Sequence, residues 1–203
     1  MTVNQCKSFL KLVKDLKALP INLDDYSDEE QRCGYSTDEY FLWVLCWAGW
    51  REERQEDVWV QVRKIYVMIG KQLNELKPHE IKKICDAYPL GWQKKWADEL
   101  ILYLELHNLT SSNFVKNLRQ MGYENARLKL QKIVNTDAEK IVDCWLRDIV
   151  KLDAFPIDSR IRKLLRIYRV PDDSNFIINC CNKNNIPIRP LARAIYQNFD
   201  SVL

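Results

Sequence analysis

Two residues 18 positions apart in the chain, Lys140 and Asp158, have side chains that could carry out chemistry together. Each comes at the predicted start of a helix. The positive end of a helix dipole disfavours an ammonium group and favours a carboxylate, so we expect a free amine on the lysine and an ionised aspartate. A free amine can form a Schiff base with a carbon centre, and a carboxylate can stabilise an oxocarbenium-like transition state.

Each residue also has a simpler interpretation. Lysines usually lie on the solvated surface, and Lys140 taken alone would be one of them. Asp158 follows Pro156-Ile157 and precedes an amphipathic segment, so it would serve as the N-cap of a helix without any other role. The two residues by themselves therefore leave both interpretations open.

The surrounding sequence narrows the choice. The stretch EKIVDCWLRDIVKLDAFPIDSRIRKLL, residues 139–165, resembles the lysine-to-aspartate segment of the helix-hairpin-helix DNA glycosylase superfamily. In that family a lysine opens the second helix of the hairpin, and a Pro-[Val/Ile]-Asp sequence and a helix with basic residues follow. The matching residues here are Lys140, Phe155-Pro156-Ile157-Asp158, Arg160 and Arg162. The spacing is similar to that of the endonuclease III-like branch.

A narrower resemblance is to the archaeal 8-oxoguanine DNA glycosylase type. Glu56-Asp57-Val58-Trp59 resembles its acidic-acidic-x-Trp helix, and Asn185-Ile186-Pro187 followed by Tyr196 resembles its Gly-Ile-Pro segment with a later Trp. In that branch two aromatic rings sandwich the flipped base and a glutamine contacts it. The matching residues are Trp59, Tyr196 and Gln31, and the alternative for both aromatic residues is packing in the core.

The chain departs from the family at the hairpin. The family carries two glycines there, whereas 134–140 reads VNTDAEK and contains none. Asp137 and Glu139 would also lie near a bound phosphate. The four-cysteine iron–sulfur cluster of some members is absent, because only Cys180 and Cys181 lie in that region.

The resemblance implies a bifunctional DNA glycosylase and abasic-site lyase that removes 8-oxoguanine without a metal or cofactor. Its partner would be damaged double-stranded DNA, with single-stranded DNA as an alternative, and we expect an intracellular monomer with no membrane association. Expected phosphate contacts are Arg160, Arg162, Lys94, Lys95, Asn135 and Thr136, with a solvated helix face as the alternative for the two lysines. Two other functions stay open, namely a glycosylase for uracil, alkylated purines or oxidised pyrimidines, and a helical DNA-binding module without catalysis.

Composition is compatible with these functions and decides little. The net charge of +3 is only mildly basic, and the seven cysteines show no zinc-binding spacing, so we expect reduced thiols. No apolar run is long enough to span a membrane, and no glycine-rich phosphate loop or Ser or Cys nucleophile motif is present.

Apolar periodicity predicts about ten to twelve helices and no strand, which favours an all-α orthogonal bundle of the helix-hairpin-helix glycosylase type. We expect one domain with two lobes, residues 1–35 with 150–203 and residues 36–149, the second with a hairpin at 123–150. Thr37 is the expected cap of a central buried helix over 40–50, and Ser111 or Ser112 of a later helix. Other predicted helices cover 55–73, 138–150 and 158–168.

Overall fold

The computed structural model describes residues 3–19, 22–23, 35–47, 52–86, 92–136 and 139–202. These residues form helices and no strand, so the predicted all-α class is confirmed for them. The chain divides into two compact units, residues 1–33 with 146–203 (unit 1) and residues 34–145 (unit 2). Among the described helices, none combines the length and apolar character needed to cross a membrane.

Unit 2 is built from consecutive helices joined by short connections. They are α2 (Thr37–Trp47), α3 (Glu52–Ile69), α4 (Pro78–Asp86), α5 (Trp92–Leu106), α6 (Ser111–Met121), α7 (Tyr123–Ile133) and α8 (Glu139–Trp145). Helix α3 ends at Ile69, four residues before its predicted end at Leu73, because Gly70 adopts a left-handed conformation with φ of 68°. Gly122 ends α6 in the same way, with φ of 73°.

The centre of unit 2 is α2, which packs against α3, α5, α6 and α8. Every residue from Asp38 to Val44 is buried. A helix with partners on several sides has no polar face, which explains the continuous apolar run. The predicted central helix is therefore present as far as Trp47 and is buried over 38–44, and residues 48–51 lie outside the described residues.

The N-terminus of α2 is closed by a reciprocal capping box. The backbone N–H of Glu39 donates to Ser36 Oγ at 3.2 Å, and the backbone N–H of Ser36 donates to Glu39 Oε2 at 2.9 Å. The expected cap, Thr37, is instead the first helical residue, because only Ser36 has a glutamate three positions later. The cap of α6 is likewise Thr110, not Ser111 or Ser112, and accepts from the backbone N–H of Asn113.

We expect Ser36→Ala to lower the free energy of unfolding by about 1 kcal/mol, because the mutant loses the hydroxyl that accepts from Glu39. Thr37→Ala is the matched control and should cost only a few tenths of a kcal/mol, since alanine is favourable inside a helix. Urea denaturation followed by circular dichroism measures both. A larger loss in Thr37→Ala than in Ser36→Ala would assign the cap to Thr37 instead.

A buried carboxylate, Asp38, ties α2 to three other segments of unit 2. It accepts a hydrogen bond from the Tyr66 hydroxyl at 2.8 Å, from the backbone N–H of Leu73 at 3.0 Å, and from the hydroxyl of Ser111. Burial and the neighbouring Asp38 charge both raise the pKa of Tyr66, so the phenol stays protonated as a donor. The burial of Asp38 is thus compensated by donors.

Unit 1 is formed by α1 (Val3–Lys17), a π-helical turn (Leu146–Val150), α9 (Ser159–Ile167), α10 (Ser174–Lys183), α11 (Ile188–Gln197) and the short α12 (Phe199–Val202). The sequence predicted one α-helix over 138–150. In the structure α8 ends at Trp145, and the wider π-helical turn follows. One core unites the inward faces of these helices, with fully buried residues that include Phe9, Leu12, Leu16, Leu164, Leu165, Ile177, Leu191 and Ile195.

The extended segment 151–158 leads into α9. The side chain of Phe155 is fully buried in the unit 1 core, and its carbonyl accepts a hydrogen bond from Ser174 Oγ at 2.8 Å. Pro156 is also buried. Because Pro156 has a restricted backbone and Phe155 is held in the core, the chain that leads to Asp158 at the start of α9 is fixed in position.

Candidate functional site

Asp158 is the N-cap of α9, as predicted. Its Oδ1 accepts the backbone N–H of Ile161 at 2.8 Å, and its backbone is extended, with φ of −95° and ψ of −176°. No hydrogen bond to Oδ2 comes from the described residues, and the side chain is only half-buried. One carboxylate oxygen therefore holds the helix while the other is left for a second interaction.

The exposed side of α9 is strongly cationic. Arg160, Arg162, Lys163 and Arg166 are all exposed, and they follow Asp158 within two helical turns. Of the two arginines predicted to contact phosphate, Arg162 already forms an ion pair with Asp172. The guanidinium carbon of Arg160 lies 6.0 Å from the centroid of the Tyr196 ring, within cation–π range.

Tyr196, on α11, is half-buried and packs against the unit 1 core. The structure thus brings together two predicted site residues of unit 1, Arg160 and Tyr196, at the start of α9. An aromatic ring with a cation above it is suited to stacking on a nucleic acid base. Part of the Tyr196 ring is already covered by the protein, however, which limits the face that a base could reach.

Lys140 is the second residue of α8 in unit 2, and its side chain is half-buried. Its amine forms no hydrogen bond or ion pair with the part of the chain that the structure describes. Helices α7 and α8 pack against each other as the two arms of a hairpin. A lysine amine without a carboxylate partner among the described residues is compatible with use as a nucleophile.

The turn of the hairpin contains two more predicted site residues. Asn135 is exposed and adopts a left-handed conformation with φ of 47°, which asparagine tolerates better than most residues. The backbone N–H of Thr136 donates to the carbonyl of Gln131 at 3.1 Å. Asn135 therefore reverses the chain in a backbone conformation that glycine adopts most readily. Residues 137–138 lie outside the described residues.

A polar cluster that the sequence did not predict joins the two arms. The buried carboxylate of Asp143 accepts from the Tyr123 hydroxyl at 3.0 Å, and its Oδ1 lies 3.2 Å from Arg127 Nε. Arg127 also reaches Glu139, with 3.2 Å between Nη2 and Oε1. The available signal was an aspartate surrounded by apolar residues in IVDCWL, since a buried carboxylate requires a partner.

A second unpredicted cluster lies in unit 1. Asp148, on the π-helical turn, receives two hydrogen bonds from Arg147, at 2.7 and 2.8 Å, and one from Arg193 at 2.8 Å. Asp148 is 5% exposed and Arg193 3%. Burial opposes ionisation, but the charges and hydrogen bonds of Arg147 and Arg193 outweigh it and hold the pKa of Asp148 below its usual value.

Trp59 is a core residue of unit 2, with only 1% of its surface exposed. Its indole N–H donates to the Tyr35 hydroxyl at 3.3 Å, and the two rings meet edge to face with centroids 5.4 Å apart. This environment matches the core-packing alternative, because stacking on a base requires an uncovered ring face.

Three other predicted site residues remain. Lys95 is exposed on α5, the side chain of Lys94 is not described, and Gln31 lies outside the described residues.

The predicted site residues are divided between the two units. Asp158, Arg160, Arg162 and Tyr196 belong to unit 1, and the lysine hairpin and Trp59 belong to unit 2. The excess of positive charge is in unit 1, which has 15 basic and 12 acidic residues, whereas unit 2 has 16 of each. No protein-family model, curated protein or solved structure matches this chain.

Proposed function

We propose that the protein is a DNA glycosylase with abasic-site lyase activity and a helix-hairpin-helix glycosylase fold. The observation that carries the proposal is the environment of Asp158. Its Oδ1 caps α9, its Oδ2 has no hydrogen bond from the described residues, and four exposed cations follow it on the same helix. A carboxylate beside cations suits a substrate that carries phosphates and develops positive charge on a sugar.

Lys140 supplies the nucleophile in this proposal. Its amine attacks C1′ of the damaged nucleotide while the bond from C1′ to the base nitrogen breaks, and the base leaves with a proton. The bond from C1′ to the ring oxygen O4′ then breaks, O4′ takes up a proton, and the lysine nitrogen and C1′ are left joined as a Schiff base. Loss of a proton from C2′ then allows β-elimination of the 3′ phosphate, which cleaves the strand. The support is that Lys140 is half-buried on a hairpin and has no ion pair with the described residues.

Asp158 stabilises the positive charge that develops on the sugar as the base leaves, and it accepts or returns protons during formation of the Schiff base. The cations of α9 bind the adjacent phosphates. Arg160, Lys163 and Arg166 suit this role better than Arg162, which is paired with Asp172. The excess of basic over acidic residues in unit 1 also favours phosphate binding by this unit.

We propose 8-oxoguanine as the damaged base, on the resemblance of 56–59 and 185–196 to the archaeal enzymes. The burial of Trp59 favours the alternative that the base pocket differs and that the lesion is another one, such as uracil, an alkylated purine or an oxidised pyrimidine. The glycine-free hairpin favours a second alternative, a DNA-binding module without catalysis.

Borohydride trapping separates these functions. The wild-type protein is incubated with a duplex that contains one 8-oxoguanine and with one that contains one abasic site. Covalent complexes on both would support the full proposal. A complex on the abasic duplex alone would retain the lysine chemistry and replace the lesion, which a panel of damaged duplexes would then identify. Binding without a complex on either duplex would leave the non-catalytic module.

We expect Asp158→Asn to lower the rate of base release by about 10²- to 10³-fold while changing the free energy of unfolding by no more than about 0.5 kcal/mol. Asparagine keeps an oxygen that can accept from Ile161 but loses the negative charge. Asp158→Ala is the matched variant, because it removes the cap as well and should cost about 1 kcal/mol. Single-turnover kinetics and urea denaturation measure the two effects, and a normal rate in Asp158→Asn would leave the residue with a capping role only.

A further inference from the structure

Asp143 lies three residues after Lys140 on α8, which is the spacing at which a carboxylate pairs with a lysine on one helix face. Lys140 forms no such pair. The Asp143 carboxylate is instead bound from the other arm of the hairpin, by the Tyr123 hydroxyl and by the guanidinium of Arg127. Its side chain is 1% exposed, so the carboxylate is shielded from solvent.

Glu139 directly precedes Lys140, and its carboxylate also contacts Arg127. One guanidinium from α7 thus binds both carboxylates that neighbour Lys140 on α8. Burial disfavours the charged guanidinium, but the charges of Asp143 and Glu139 outweigh burial and raise the pKa of Arg127 above its usual value. Arg127 is therefore a permanent cation in this cluster.

We propose that Arg127 and Tyr123 are positioning residues that hold Asp143 and Glu139 away from the Lys140 amine and so keep it free for Schiff-base formation. The inference rests on the proposed function of Lys140. A carboxylate paired with the amine would stabilise its protonated form, which has no lone pair for attack. Arg127 would then have a second role, since the charge of Asp143 could not remain buried without it.

Helices α7 and α2 pack against α8 and carry the other charged side chains that surround it. Lys129 of α7 lies over the Tyr103 ring, at 5.7 Å from its centroid. The remaining charged residues are Glu124 and Lys132, both exposed on α7, and Asp38 and Glu39 of α2, which are bound by Tyr66, Ser111, Ser36 and Arg63.

The test is the pH dependence of borohydride trapping on a duplex with one abasic site. In Arg127→Met we expect the pH of half-maximal trapping rate to rise by about one unit, because Asp143 becomes free to pair with the amine. In Arg127→Met with Asp143→Asn it should return towards the wild-type value, because the carboxylate charge is gone. Arg127→Lys keeps a cation and should remain close to wild type.

A change in stability alone would give a different result. If Arg127→Met lowered the trapping rate by the same factor at every pH, the inference would be wrong and Arg127 would only support the fold. Should Arg127→Met fail to fold, Tyr123→Phe removes one hydrogen bond to Asp143, and a smaller rise is expected, whereas an unchanged midpoint would refute the inference. Wild-type protein that traps no DNA would refute the proposed function and this inference together. Trapping by the wild type, with an unchanged pH midpoint in Arg127→Met, would refute the inference alone.

Discussion

Replacing Lys140 with alanine is expected to abolish the covalent complex with abasic DNA and to slow strand cleavage by at least about a thousandfold. The variant lacks the only atom in the proposed site that forms a bond to the sugar. The side chain is half-buried and donates no hydrogen bond to the described residues, so its removal should leave the fold almost unchanged. Denaturing gels after borohydride reduction measure the complex, and single-turnover kinetics measure the cleavage.

Lys132→Ala is the matched control for this experiment. Lys132 is exposed in the last turn of α7, on the same hairpin, and its loss removes one positive charge without removing the proposed nucleophile. Its trapping should remain within a few-fold of wild type, with at most weaker binding of DNA. If both variants trapped DNA as well as the wild type, the nucleophile would be another amine and the proposed role of Lys140 would be wrong.

The largest expected effect on stability comes from Asp148→Asn. Removing the carboxylate charge takes a buried ion-pair partner from two arginines, one of them 3% exposed, in the core of unit 1. Breaking a buried ion pair by removing one partner costs about 3 to 5 kcal/mol. Urea denaturation should show this loss in the free energy of unfolding at neutral pH.

The loss of stability in Asp148→Asn should also depend on pH. A carboxyl group whose pKa is lowered on folding, as for Asp148, stabilises the fold above its pKa in the unfolded chain, and this contribution is lost as pH falls through the folded-state pKa. The difference in stability between wild type and Asp148→Asn should therefore be greatest near neutral pH and shrink below about pH 4.

The control variant is Asp172→Asn, which breaks the exposed pair with Arg162 and should cost less than about 1 kcal/mol. Similar losses in both variants would contradict the assignment.

Local signals in the sequence predicted those features that local chemistry determines. Asp158 caps α9 because an aspartate follows Pro156-Ile157 and precedes an amphipathic run, and the same few residues decide the structure. Gly122 ends α6 for a similar reason, since glycine accepts the left-handed conformation there at little cost. The position of α2 at the centre of unit 2 follows from an apolar run without a polar face.

Features that depend on contacts between distant segments were not predictable in this way. Tyr123 and Arg127, which bind Asp143, are on another helix, and one of the two arginines that bind Asp148 is 45 residues further along the chain. The environment of Trp59 shows the same limit, because an aromatic residue at helical spacing fits a base pocket and a core equally well, and only the packing around Tyr35 distinguishes them. The roles of Lys140 and Asp158 stay predictions, because the proposed chemistry requires bound DNA.

The π-helical turn at Leu146–Val150 affects how relatives of this chain can be found. A π-helical turn closes its hydrogen bonds over one residue more than an α-helical turn, so it acts as a single-residue insertion within a helix. A related protein with an ordinary turn here would have the lysine and the aspartate separated by one residue fewer. A search pattern with a fixed interval between these two residues would miss such a protein, whereas a pattern that allows a one-residue gap between Trp145 and Lys151 would detect it.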